Sequence, residues 1–211
     1  MVYIYYSIIK KENEHSLYSS YLNLMPLEIK NKISRFNLPL DAKTSLIGKL
    51  MLMRGLNDLG IKGDLSDLRY DEFGKPSIKD INFSISHSDS FVICAVSKTI
   101  NLGIDVEKIM ELNLNRFRSI FQDSEWAKIN LIENDFTSFY FYWCAKESIA
   151  KAIGKGLGTG LREIKIEEGI GIYKGHKWHL KELKIDPEYV IQLSTDRLPK
   201  NINIINCPFM M

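Results

Sequence analysis

The sequence predicts an α+β protein built as two α/β lobes of similar make, each with a small sheet packed on one long helix. Two stretches, Pro39–Leu59 and Phe139–Gly160, carry apolar residues at spacings of three and four, the helical signature. Around each lie short runs rich in β-branched and aromatic residues, bounded by Gly, Pro, Asn and Asp. The chain has 211 residues, 45% hydrophobic and 26% charged, which suits one large domain or two lobes sharing a core. Lys98–Asn101 is the expected seam, giving an N-terminal lobe 1–100 and a C-terminal lobe 101–211.

Charge and cysteine usage exclude several classes. A net charge of +2 makes no case for a nucleic-acid partner, which wants a concentrated basic patch. Cys94, Cys144 and Cys207 are odd in number and lack CxxC spacing, so a reducing compartment is expected, with Cys94 and Cys144 as small core residues. Val2–Ile9 precedes Lys10-Lys11, the reverse of a signal peptide's order, and is too short to span a bilayer. The expectation is a cytoplasmic protein with no membrane partner.

In order, Val2–Ile9 reads as a strand and Glu12–Leu22 as a helix. Leu27–Phe36 follows Pro26 as a short helix whose Lys30, Lys32 and Arg35 serve equally as a solvated face or an anion-binding rim. Pro39–Leu59 is the long helix of the first half; Gly60 ends it, and Ser45 lies in its early part. Leu68–Asp71 reads as a strand. Phe73-Gly74-Lys75-Pro76 is a turn, glycine supplying backbone freedom and proline fixing φ. Asn82–His87 and Phe91–Ser97 form a hairpin; Phe83 and Ile85 share one face of its first strand, Ser84 and Ser86 the other, and His87 stands at the rim. On Leu102–Ile109, Asp105 and Glu107 point to one side with Cβ atoms about 7 Å apart. They are either a solvated strand edge or a site for a cation.

Arg116–Phe121 and Ser124–Ile132 read as short helices, the second capped by Ser124. The aromatic helix then ends at Gly154, and the glycines to Gly160 make a flexible exit. Trp143, Glu147 and Lys151 form one row on it, which by itself is most simply a solvated ion pair worth about 0.3–0.5 kcal/mol. Leu161–Glu167, Lys177–Ile185, Tyr189–Thr195 and Asn201–Asn206 read as strands, and His176 and His179 as surface residues.

Paired carboxylates on a strand, a third on a helix and a lysine one turn away suit hard-cation and phosphate chemistry. GxxxxGK[ST] and GxGxxG are both absent, so neither a P-loop nor a dinucleotide fold is indicated. The segments FSISHS (83–88), GIDVE (103–107) and WCAKESIAKAIGKGL (143–157), in this order, resemble the 4′-phosphopantetheinyl transferases; FGKP (73–76) and Arg35-Phe36 fit as well. The layout is similar to the larger, pseudo-dimeric surfactin-synthetase-activator type.

That resemblance implies pseudo-twofold lobes with coenzyme A between them, and transfer of its phosphopantetheine arm to a serine of an apo acyl or peptidyl carrier protein. The released product would be 3′,5′-ADP. It further implies Mg²⁺, with Mn²⁺ as a substitute, held by Asp105, Glu107 and Glu147. Glu147, Lys151 and His87 would be the catalytic groups, Glu147 as base for the serine either directly or through a metal-bound water. Ser86, His87 and Lys151 would contact coenzyme A phosphates, with Lys32, Ser45 and the Gly74-Lys75-Pro76 turn toward the 3′-phosphate and adenine. A monomer is implied, since the larger type carries both halves of the site in one chain.

Two positions depart from the pattern: Ile29 occupies a site that is often basic, and Thr44 precedes Ser45 where a basic residue is common. Two other readings are a coenzyme A or carrier-binding module that has lost transfer, and a Mg²⁺-dependent hydrolase of a small diphosphate diester. The complete Asp105, Glu107, Glu147 and Lys151 set argues against the first.

Overall fold

Strand β1 (Val2–Ile8) is flanked on both edges by strands distant in sequence, so the first structural unit is assembled from both ends of the chain. The computed structural model describes residues 1–9, 15–72, 74–132, 135–154 and 160–209. After β1 come α1 (His15–Asn23), α2 (Leu27–Ile33), α3 (Pro39–Asp58), β2 (Arg69–Tyr70), β3 (Pro76–Ser77), β4 (Asn82–Ser88) and β5 (Phe91–Ser97). Then follow β6 (Leu102–Lys108), α4 (Asp123–Ile129), α5 (Phe136–Ile153), β7 (Lys165–Glu167), β8 (Ile170–Tyr173), β9 (His176–Glu182), β10 (Tyr189–Thr195) and β11 (Ile202–Asn206). Single 3-10 helices occupy Leu114–Ile120 and Leu161–Glu163.

The chain divides into two units, Met1–Thr99 with Lys200–Met211, and Ile100–Pro199. The division at residues 99 and 100 lies inside the expected seam, but residues 200–211, assigned above to the second lobe, belong to the first unit. β11 pairs in parallel with β1, from Val2 opposite Ile202 to Tyr6 opposite Asn206. Such a pairing leaves no local mark in the sequence, because its two strands lie at opposite ends of the chain.

In the first unit the sheet order is β11-β1-β5-β4. α3 lies hard on it. A Cβ at Gly48 would stand 2.8 Å from Ile85 Cγ2, and one at Gly55 2.7 Å from Val96 Cγ2. Leu46, Ile47, Met51, Leu52 and Leu56 of α3 are buried with Tyr5, Val92, Cys94 and Val96. Burial of each large aliphatic side chain here contributes about 1.5–3 kcal/mol. Ser84 and Ser86 are buried as well, so β4 is covered more fully than the half-buried strand expected, leaving His87 exposed. α2 stops at Ile33, short of Phe36, and α1 starts at His15; Glu12–Glu14 lie outside the described residues.

In the second unit the order is β6-β10-β9-β8-β7. The strand expected at Leu161–Glu167 is a 3-10 turn followed by β7 alone, and β8 was not anticipated. β8 is short and sits between two-residue turns, Glu168-Gly169 and Lys174-Gly175, all four residues with positive φ as type I′ hairpins require. α4 begins at Asp123 with Gln122, not Ser124, at its N-cap; Glu125 Oε2 accepts from Gln122 N at 2.8 Å. α5 ends where Gly154 takes φ 85° and donates to Ala150 O at 2.9 Å. Residues 155–159, where the flexible exit was expected, lie outside the described residues. Among the described residues no helix is long and apolar enough to cross a membrane.

Candidate active site

β6 is an edge strand whose pairing with β10 sets Asp105 opposite Gln192 and Glu107 opposite Val190. It is no solvated edge: Asp105 is 3% exposed. Gly103 explains why. A Cβ there would lie 1.9 Å from Ser148 O and 2.7 Å from Ala152 N, so α5 and β6 meet backbone to backbone only because this residue is glycine. That approach brings Lys151 of α5 across to the strand, its Nζ 2.6 Å from Asp105 Oδ1.

Glu147 sits one turn before Lys151 and is half-buried. Burial pushes its carboxyl up, the negative charge of Asp105 adds to this, Lys151 opposes it, and Glu107 adds again. The Cys144 thiol on the same helix is pushed up by burial and then by Asp105 and Glu107. Two separate groups on α5 therefore sense both strand carboxylates. The second unit has gathered negative charge against one helix face, with one ammonium set into it.

These oxygens are the donor type a hard divalent cation takes. Opposite Asp105, the Gln192 side chain is 1% exposed, and among the described residues neither its Oε1 nor its Nε2 has a hydrogen-bond partner, leaving polar capacity beside the carboxylates. Among the described residues, no three Asp, Glu, His or Cys side chains close into a metal-binding group. The donor chemistry thus fits a hard cation, while Lys151 is the cation that Asp105 engages in this structure.

The remaining expected site residues lie in the first unit. Lys32 on α2 is exposed, its ammonium 3.6 Å from the Tyr70 ring centroid. Ser45 is half-buried on α3. In the turn, Gly74 has φ 79° and donates to Asp71 O at 3.0 Å, Lys75 N donates to Asp71 Oδ1 at 2.8 Å, and Pro76 opens β3. Phe73 lies outside the described residues. Burial pushes the Lys75 ammonium down, opposed by Asp71. Ser86 and His87 are neighbours on β4, the serine buried and the histidine exposed. Ile29, at the register position that is often basic, is 5% exposed in the apolar core, so a charge there would have to be buried.

Sequence reasoning passed over three features. Gly103 could have been found as a glycine inside an apolar strand. Lys49, one turn beyond Ser45, is half-buried, and burial pushes its ammonium down to about 8; Cys94 opposes this and Lys32 adds to it. Lys49 therefore feels the charge of Lys32, a proximity between two helices that spacing along one helix does not show. Lys146 and Glu125 form a buried ion pair, signalled only by a lysine on the buried stripe of α5.

Residues 101–197 match the family model of the 4′-phosphopantetheinyl transferase superfamily, and residues 12–99 match that of the 4′-phosphopantetheinyl transferase N-terminal region. The chain is 36% identical to 4′-phosphopantetheinyl transferase gsp of Aneurinibacillus migulanus over 144 residues, 65% of this chain and 60% of that protein. It is 28% identical to 4′-phosphopantetheinyl transferase Sfp of Bacillus subtilis over 221 aligned positions, 97% of this chain and 96% of that protein. Against the human L-aminoadipate-semialdehyde dehydrogenase-phosphopantetheinyl transferase it is 29% identical over 202 positions, 79% of this chain and 65% of that one. The match thus spans less than two thirds of gsp and of the human protein, and nearly all of Sfp. With two family models of one enzyme class running from residue 12 to residue 197, the chain belongs to the 4′-phosphopantetheinyl transferase superfamily.

Proposed function

We propose that this protein moves the 4′-phosphopantetheine arm of coenzyme A onto a serine of an apo acyl or peptidyl carrier protein and releases 3′,5′-ADP. The observation that carries this is the carboxylate cluster of β6 and α5 with the Lys151 ammonium set into it, in a chain of this superfamily. The serine oxygen bonds to the β-phosphorus, the bond from that phosphorus to the bridging oxygen breaks, and the electron pair leaves with 3′,5′-ADP.

Asp105, Glu107 and Glu147 would hold Mg²⁺, which when bound supplies Lewis-acid charge against the pyrophosphate. Glu147 takes the serine proton; burial and its acidic neighbours already raise its affinity for one. Lys151, held by Asp105 until phosphate arrives, neutralises the charge that develops on the departing oxygens. His87 and Ser86 donate to phosphate oxygens. Lys32, Ser45 and Lys75 serve the 3′-phosphate and adenine end, and Lys49 supplies positive charge that the position before Ser45 lacks. We read the protein as a cytoplasmic monomer acting on a carrier of fatty-acid, polyketide or non-ribosomal-peptide synthesis.

Intact mass of an apo carrier, incubated with this protein, coenzyme A and Mg²⁺, tests the reading. A gain of roughly 340 Da that EDTA abolishes is expected. No gain on several carriers, while coenzyme A still binds, rules the reading out.

Lys151→Ala is expected to lower kcat by about 10²-fold, the size seen when one group stabilising a developing charge is removed. Coenzyme A affinity, followed by calorimetry, should change much less. A loss confined to affinity contradicts the assigned role.

A further inference from the structure

α5 carries a lysine where its buried stripe calls for an apolar residue. Tyr142, Cys144, Ala145, Ile149 and Ala152 are buried, and Lys146 among them is 0% exposed, immediately before Glu147. Its Nζ lies 2.9 Å from Oε2 of Glu125, itself 2% exposed. The same ammonium donates to Leu161 O at 3.2 Å and to Ile164 O. A lysine has three donors, so each has an acceptor. On the other side, Glu125 Oε2 accepts from Gln122 N at 2.8 Å and Oε1 from Ile166 N at 2.9 Å. The first turn of α4, the middle of α5 and the segment 161–166 are tied at one point.

Stability does not account for this arrangement. Taking two charges out of water costs several kcal/mol per ion, and apolar residues of similar volume often do as well or better. Direction does account for it. Successive helix residues project about 100° apart, so a Lys146 locked toward Glu125 fixes where Glu147 points. Apolar packing alone lets a helix roll slightly over its neighbours. Three directional bonds on one ammonium resist that roll.

We propose that the Lys146–Glu125 pair is a positioning device: it sets the rotation of α5 and so holds Glu147 toward Asp105 and Glu107. The proposal rests on the reading of Glu147 as metal ligand and base given above. Neither Lys146 nor Glu125 touches substrate; both act through Glu147.

The test is the full chain carrying Glu125→Met with Lys146→Met, assayed for transfer, for thermal stability, and for Mn²⁺ binding by electron paramagnetic resonance with coenzyme A present. The double variant is expected to melt at or above the unmodified protein. Its kcat should fall about tenfold with the carrier KM unchanged, and Mn²⁺ binding should weaken by a similar factor, as outer-shell changes do. Glu125→Gln keeps the volume and an acceptor for Ile166 N but removes the charge, so a smaller loss of about two- to fivefold in both quantities is expected. Unmodified kcat and Mn²⁺ affinity in the folded double variant overturn the proposal. Should the double variant not fold, the same unchanged values in Glu125→Gln overturn it. An unmodified protein that transfers nothing defeats the underlying reading and takes this proposal with it, so the two failures are told apart by the parent protein.

Discussion

Asp105→Ala is expected to lower transfer by about 10³-fold or more while leaving the protein folded. The residue is 3% exposed on β6 and engages Lys151 Nζ at 2.6 Å, so its loss removes both a candidate metal ligand and the partner that holds the ammonium. Lys151 is 31% exposed at its side chain and can turn to water, which keeps the stability cost within about 1–3 kcal/mol. Asp105→Asn separates charge from shape: it keeps the volume and an acceptor for Lys151 but loses the anionic oxygen a hard cation needs, and should be nearly as inactive. Carrier mass and far-ultraviolet circular dichroism on the same samples check both. Activity within tenfold of the parent in either variant would break the metal assignment.

Gly103→Ala is expected to do more damage to the fold than any conservative change at the charged positions. The added methyl would meet Ser148 O at 1.9 Å, Ser148 C at 2.9 Å and Ala152 N at 2.7 Å, all backbone atoms of α5. No rotamer relieves that clash, so strand and helix must separate. Overpacking of this kind costs about 3 kcal/mol or more, which for a chain of this size lowers the melting temperature by roughly 6–12 °C. Transfer should fall further than stability explains, because Asp105 follows Gly103 by two residues on the strand while Glu147 and Lys151 ride on the helix. A displacement near 1 Å costs about 10²-fold in rate. Measured at a temperature where both proteins are folded, near-parent kcat in Gly103→Ala would show that the close approach serves packing alone.

The sequence determined the local elements and the chemistry they carry. Helical spacing placed both ends of α3 within a residue and stopped α5 at Gly154, although α5 opens at Phe136, three residues before the stretch that was read as helical; Phe91–Ser97 and Tyr189–Thr195 were legible as strands because β-branched and aromatic residues ran between clear turn residues. Asp105 and Glu107 fell on one strand face because side chains alternate along a strand. Each of these signals is local, and local signals fail where neighbours in space are far apart in sequence. Only the tertiary structure decided that β11 closes the first sheet against β1, that Lys151 reaches Asp105 on β6, and that a glycine makes their meeting possible. It likewise decided that Lys146 turns inward to Glu125, on a stripe where spacing alone predicts an apolar residue. Spacing along one helix sets the direction of a side chain; what it meets in that direction is set by the packing of the whole unit.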